Sequence, residues 1–156
     1  MLKYLNTDIV FQEIPDETTL AINLTACPCH CPGCHSPWLW QDVGEELSIS
    51  ELCRLVDRYK DSITCVCFMG GDASPIEVQT LASQLKELYA HYKVAWYSGR
   101  QHLPAFVDKQ VFDYLKLGPY NALLGPLKSP TTNQRMLKRL PDGTFADITY
   151  RFHKKR

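Results

Sequence analysis

No charge of one sign dominates this chain of 156 residues, in which Lys and Arg number 17 and Asp and Glu also number 17. A surface balanced in this way lacks the broad basic field that suits nucleic acid and the acidic excess of a solvating tail, so no nucleic-acid partner is expected. No apolar run approaches the ~20 residues needed to cross a bilayer, and Met1-Leu2-Lys3-Tyr4 opens no apolar signal core. Membrane insertion and secretion are therefore not expected, and the expected location is cytoplasmic. Internal repeats, low-complexity stretches and interdomain linkers are missing as well. With 45% hydrophobic and 22% charged residues, the sequence reads as a single domain, 1–156, with a real core.

Cysteine is not scarce. Of the 7 in the chain, several crowd into Cys27-Pro28-Cys29-His30-Cys31-Pro32-Gly33-Cys34-His35. An odd total without a secretory leader argues against a disulfide framework, and thiols are good soft ligands for iron or zinc. A structural zinc knot would normally take two separated cysteine pairs, and no second C-x2-C stands elsewhere. Zinc or a closed cluster in a non-catalytic module remains the alternative of a different class. Cys27, Cys31 and Cys34 form C-x3-C-x2-C, a group able to hold three corners of one iron–sulfur cube and leave the fourth iron to a ligand that is not protein. Cys29, Cys31 and Cys34 are the other possible triad, but a C-x-C step reaches less far around a cube. Cys29 is read as a bystander.

Around this loop the pattern is α/β. Residues 1–19 read as a lead-in strand or arm and a turn, and 20–25 alternate as a first core strand, so the cysteine loop leaves a strand end. Ser48-Ile49-Ser50-Glu51 predicts a capping box and a helix near 49–60. Residues 63–69 form a second strand ending in Gly70-Gly71-Asp72, and Ser74-Pro75-Ile76-Glu77 predicts a second capped helix. Residues 94–97, followed by Ser98-Gly99, and 112–117, followed by Gly118-Pro119, are further strands, with a short helix expected within 103–110. Four or five strands cannot close an eight-stranded barrel. The expected fold is an open partial (βα) barrel of parallel strands with a C-terminal hairpin, 135–140 turning at Pro141-Asp142-Gly143 onto 144–152. Cys53, Cys65 and Cys67 are expected to be small hydrophobes, and the three tryptophans to serve packing.

Having the cysteine loop after the first strand and Gly-Gly-Asp after the second, the chain resembles the radical S-adenosylmethionine (SAM) superfamily. Asp113-Tyr114-Leu115-Lys116-Leu117-Gly118-Pro119-Tyr120 and Ser129-Pro130-Thr131-Thr132-Asn133-Gln134-Arg135 make it similar to the activases of anaerobic ribonucleoside-triphosphate reductase. The resemblance implies a [4Fe-4S] cluster on Cys27, Cys31 and Cys34, with SAM on the open iron. It implies the SAM amino group near Gly70, Gly71 and Asp72, adenine near the backbone of Gly33, Cys34 and His35, and Ser98 near the ligand. The implied activity is one-electron cleavage of SAM to methionine and a 5′-deoxyadenosyl radical, which takes hydrogen from a backbone glycine of the reductase. A flavodoxin-like protein is the implied electron donor. An activase of another glycyl radical enzyme, or a radical SAM enzyme for a small molecule, is the nearest alternative. Residues 118–135 and the basic C-terminus 151–156 are candidates for the docking rim.

Overall fold

The computed structural model describes residues 1–25 and 43–153. Its strands are β1 (Lys3–Val10), β2 (Thr19–Leu24), β3 (Glu45–Glu46), β4 (Cys65–Met69), β5 (Lys93–Tyr97), β6 (Tyr114–Leu117), β7 (Arg135–Arg139) and β8 (Phe145–Asp147). The helices among the described residues are α1 (Ile49–Tyr59) and α2 (Pro75–Leu88), with 3-10 turns at Lys109–Val111 and Thr149–Phe152. The 8 strands among the described residues join one open sheet in the order β3-β1-β2-β4-β5-β6-β7-β8. Its centre, β2-β4-β5-β6, is parallel. The flanking strands pair antiparallel, β1 with β2 and β3, β7 with β6 and β8.

Alternation along the central strands divides the core in two. Val66 and Phe68 of β4 pack with Leu20, Ile22, Val94, Trp96 and Leu115 against Leu52, Leu55 and Val56 of α1 and Val78 and Leu85 of α2. Cys65 and Cys67 face the other way, onto Ala95, Tyr114, Met136 and Ile14. Burial raises both thiol pKa values, as suits small hydrophobes rather than ligands, and Cys53 is half-buried on α1. The β1–β2 connection crosses this second face as a strap. Ile14, 1% exposed, plugs it, Tyr97 donates its hydroxyl to the Glu13 carbonyl, and Tyr114 donates to Glu17 Oε2 at 2.9 Å.

Several expectations change in detail. The lead-in arm is a full strand, β1, hidden from pattern reading because Asn6 and Asp8 are polar and both accept from Asn23 Nδ2, at 2.6 and 3.2 Å. The sheet therefore has more strands than four or five and is mixed rather than all parallel. The helix expected within 103–110 is only the 3-10 turn at Lys109–Val111; Pro104 lacks an N–H and disfavours helical backbone at Leu103. The C-terminal hairpin forms, with Arg139 opposite Phe145, but its second strand stops at Asp147. That carboxylate accepts from Thr149 N at 2.9 Å and Thr149 Oγ1 at 2.6 Å, turning the chain into a 3-10 helix.

The two helix starts also differ. Ser48 Oγ accepts from Glu51 N at 3.1 Å, as an N-cap should. Ser74 makes no such bond; its hydroxyl donates to Glu77 Oε1, while Glu77 Oε2 takes the Leu2 N–H at 2.8 Å and Oε1 pairs with the Met1 ammonium at 2.6 Å. The second capping box is thus spent on tying β1 to α2. In α1, Glu51 also binds Arg54 and Tyr4, which together lower its pKa from 4.5 to about 2. A depressed carboxyl contributes stability above its unfolded value and loses it as the pH falls through the folded one. Glu51→Gln is expected to lower the thermal midpoint near neutrality and to converge with wild type as the pH falls from about 4.5 to about 2. Parallel wild-type and variant pH profiles would refute this assignment. Among the described residues, no helix is long and apolar enough to cross a membrane.

Candidate functional site at the carboxyl edge

Because β2, β4, β5 and β6 run parallel, the segments that follow them emerge at one edge of the sheet. Thr25, which follows β2, is fastened to Lys3 by its N–H at 3.0 Å and its hydroxyl at 3.3 Å. The cysteine loop begins immediately beyond it. Cys27, Cys29, Cys31, Gly33, Cys34 and His35 lie outside the described residues, so the expectations placed on them have no geometry here. Gly70-Gly71-Asp72 follows β4, Ser98-Gly99-Arg100 follows β5, and Gly118 follows β6. The structure brings these three turns together.

The joins are hydrogen bonds between successive turns. Gly70 N donates to Tyr97 O at 2.9 Å, Ser98 N to Lys116 O at 2.8 Å, and Gly118 N to Arg100 O at 2.7 Å. Trp96 is fully buried, as packing predicts, and its indole N–H also donates to Gly70 O at 2.6 Å. Lys116, 8% exposed, sends Nζ to Ser98 O at 3.3 Å and Gly118 O at 3.0 Å. Gln134 Nε2 reaches the same Gly118 carbonyl at 3.4 Å.

The two glycines have different reasons to be glycine. Both have positive φ, +100° at Gly70 and +88° at Gly71. A Cβ on Gly71 would stand 2.6 Å from Val78 Cγ2 and 2.7 Å from Leu24 Cδ1, so this glycine serves helix–strand packing. At Gly70 the nearest atom would be Leu24 O at 3.6 Å, which is ordinary contact. Gly70 therefore owes its glycine to its positive φ rather than to packing.

Asp72 is 1% exposed. Its carboxylate accepts from Ser98 Oγ at 2.6 Å and Gly99 N at 2.9 Å, and Arg100 Nε lies 3.8 Å from Oδ1. The Asp72 carbonyl accepts from Arg100 Nη2 at 2.8 Å. Asp72 and Ser98, singled out separately from the sequence, are thus bonded partners, and the carboxylate holds the turn after β5. Sequence reasoning missed Arg100 and Lys116. A lysine between Leu115 and Leu117 in an apolar strand was the available signal for the second; Arg100 carried none.

Beside this edge, on the Cys67 face, lies a cavity of about 400 Å³ walled by Tyr97, Lys116, Tyr120, Leu127, Gln134 and Phe152. Burial pushes the Tyr97 phenol well above its ordinary pKa, and burial also raises the carboxyl of Glu13 at the cavity wall. Lys116 joins cavity to edge, since its Nζ lies 5.7 Å from the centre of the Tyr97 ring. In the candidate docking segment, Asn133 Nδ2 donates to Pro119 O at 3.0 Å, whereas Leu123 is 93% exposed. Arg135 is half exposed, with Nη2 donating to Thr132 O at 3.2 Å. The end of the basic tail, 154–156, lies outside the described residues. Compared with family profiles, curated proteins and solved structures, the chain returns no match.

Proposed function

We propose that this chain is a radical SAM activase of anaerobic ribonucleoside-triphosphate reductase, and that its open sheet is the partial (βα) barrel of that superfamily. One observation carries the reading. The strand preceding the C-x3-C-x2-C segment and the strand preceding Gly70-Gly71-Asp72 are parallel neighbours, so both segments leave the same edge. Cys27, Cys31 and Cys34 would hold a [4Fe-4S] cluster, and three thiolates suit a cluster with one open iron. When bound, the cluster would supply the electron that splits SAM into methionine and a 5′-deoxyadenosyl radical.

The remaining work is positioning. Gly70 admits the amino-acid end of SAM to the backbone beside Gly71 and Asp72, Ser98 lies in the adjoining turn, and the backbone of Gly33, Cys34 and His35 receives adenine. No side chain has to act as general acid or base. The partner glycine must arrive on a loop of another protein, and the exposed Leu123 and Arg135 are candidates for the surface that meets it. A flavodoxin-like protein is the proposed electron donor.

The test is to reduce the reconstituted protein with SAM and the anaerobic reductase and record the electron paramagnetic resonance spectrum. A glycine-centred doublet on the reductase is expected. Leu123→Asp and Arg135→Ala should lower radical yield more than they lower uncoupled SAM cleavage. A doublet obtained only with another glycyl radical enzyme would change the partner, and no SAM cleavage by a loaded cluster would overturn the activity.

A further inference from the structure

Ile14 of the strap plugs one face of the sheet, and the cavity of about 400 Å³ lies on that same face. The polar groups on its wall are largely engaged within the chain. Tyr97 donates its hydroxyl to the Glu13 carbonyl, Lys116 Nζ donates to Ser98 O and Gly118 O, Gln134 Nε2 to Gly118 O, and Lys128 Nζ to Gln12 Oε1 at 3.4 Å. The Glu13 carboxyl lies where burial disfavours its charged form. What faces the cavity is therefore mainly ring and hydrocarbon, from Tyr97, Tyr120, Pro126, Leu127 and Phe152. Its outer wall is built from tight turns, in which Leu124 N and Gly125 N both donate to Asn121 O and Ser129 N donates to Pro126 O. His153 Nε2 lies 2.9 Å from Leu127 O and ties that wall to the C-terminal turn. A charged group entering this cavity would lose its water without gaining a partner, whereas an apolar one gains by burial.

The cavity also adjoins the carboxyl edge. Tyr97 and Lys116 belong to both, since Tyr97 O takes the Gly70 N–H and Lys116 Nζ binds the Ser98 and Gly118 carbonyls. A glycine brought to that edge offers no side chain by which it can be told from any other glycine. Its neighbours start only about 3.8 Å further along their chain, so theirs are the side chains that reach the cavity.

Resting on the reading of this chain as an activase that takes hydrogen from a partner's backbone glycine, we propose that the cavity binds the side chain of a residue flanking that glycine and selects an apolar, uncharged one. Leu127 and Phe152 are its specificity-determining walls. The cavity then decides which glycine is presented.

The experiment uses fluorescein-labelled peptides of the reductase's glycine segment, with the residue before or after the glycine set in turn to alanine, phenylalanine or aspartate. Each is titrated against the anaerobically reconstituted protein with SAM, and fluorescence anisotropy gives its affinity. At one of the two positions wild type is expected to bind phenylalanine roughly 10- to 100-fold more tightly than alanine, and aspartate more weakly than alanine. Phe152→Ala should narrow the first ratio. Leu127→Lys puts an ammonium in the wall and should reverse the order, so that the aspartate peptide binds more tightly than the phenylalanine one, a result that misfolding does not give. Equal wild-type affinities for the three side chains at both positions, or the wild-type order kept in Leu127→Lys, would each overturn the proposal. Should Leu127→Lys bind no peptide, the Phe152→Ala ratio decides, and a ratio left at the wild-type value overturns it. The doublet on the intact reductase separates the two readings. A doublet without side-chain preference removes the cavity alone, whereas neither peptide binding nor a doublet removes the activase reading and this proposal with it.

Discussion

Alanine in place of Cys27, Cys31 or Cys34 is expected to abolish SAM cleavage, whereas Cys29→Ala should leave a reducible four-iron cluster. A cluster with one open iron needs all three thiolates, and none of the three described cysteines is an evident replacement. Cys65 and Cys67 are fully buried on the strap-covered face with their pKa values raised by burial, and Cys53 lies half-buried on α1. None of the three follows a central strand at the carboxyl edge. Iron content and 5′-deoxyadenosine formed with a chemical reductant are the readouts. A Cys27→Ala protein that still assembles a cluster, beside a Cys29→Ala protein that does not, would move the triad to Cys29, Cys31 and Cys34.

The largest effect on stability is expected at Gly71. Alanine there combines a backbone at φ +88° with a methyl group 2.6 Å from Val78 Cγ2 and 2.7 Å from Leu24 Cδ1. Both neighbours are buried, at 0% and 1% exposure, and neither is the free end of a long side chain. Backbone strain and overpacking together should cost about 2–4 kcal/mol. For a chain of this size that is a fall of roughly 5–15 °C in melting temperature. Gly70→Ala pays the backbone strain without the collision, about 1–2 kcal/mol, and should melt closer to wild type. Thermal melts of the two variants decide the matter; equal losses would remove the wedge at Gly71.

The parallel centre was legible because β2, β4, β5 and β6 are short and mainly apolar and the last three are followed by glycine or by Ser-Gly, while Leu52, Leu55 and Val56 repeat at helical spacing. β1 was only half legible, since its middle is polar and its partner side chain, Asn23, comes from the next strand. Gly-Gly-Asp was legible as a turn at a strand end. The partners of Asp72 were not, because Ser98, Gly99 and Arg100 are distant in sequence and come within reach only when β4 and β5 pair. Arg100 illustrates the same limit: nothing in its neighbours marks it, and its importance lies in a hydrogen bond to a backbone carbonyl of another turn.

An open sheet has two margins, and each is a surface onto which another chain could add a strand. Among the described residues both are blunted. On one side β3 offers two exposed glutamates and pairs only with Lys3 and Tyr4, and the stretch of β1 beyond them carries the exposed polar Asn6 and Asp8; on the other, β8 offers three residues, ending in Asp147, whose side chain is bound up in the turn that follows. Polar and charged side chains along both margins disfavour edge-to-edge pairing, so the sheet can stay unclosed. They also restrict how a second protein can approach. A loop of the proposed partner would meet polar and charged side chains along either margin and would be better recognised by side chains at the strand ends or in the adjoining cavity.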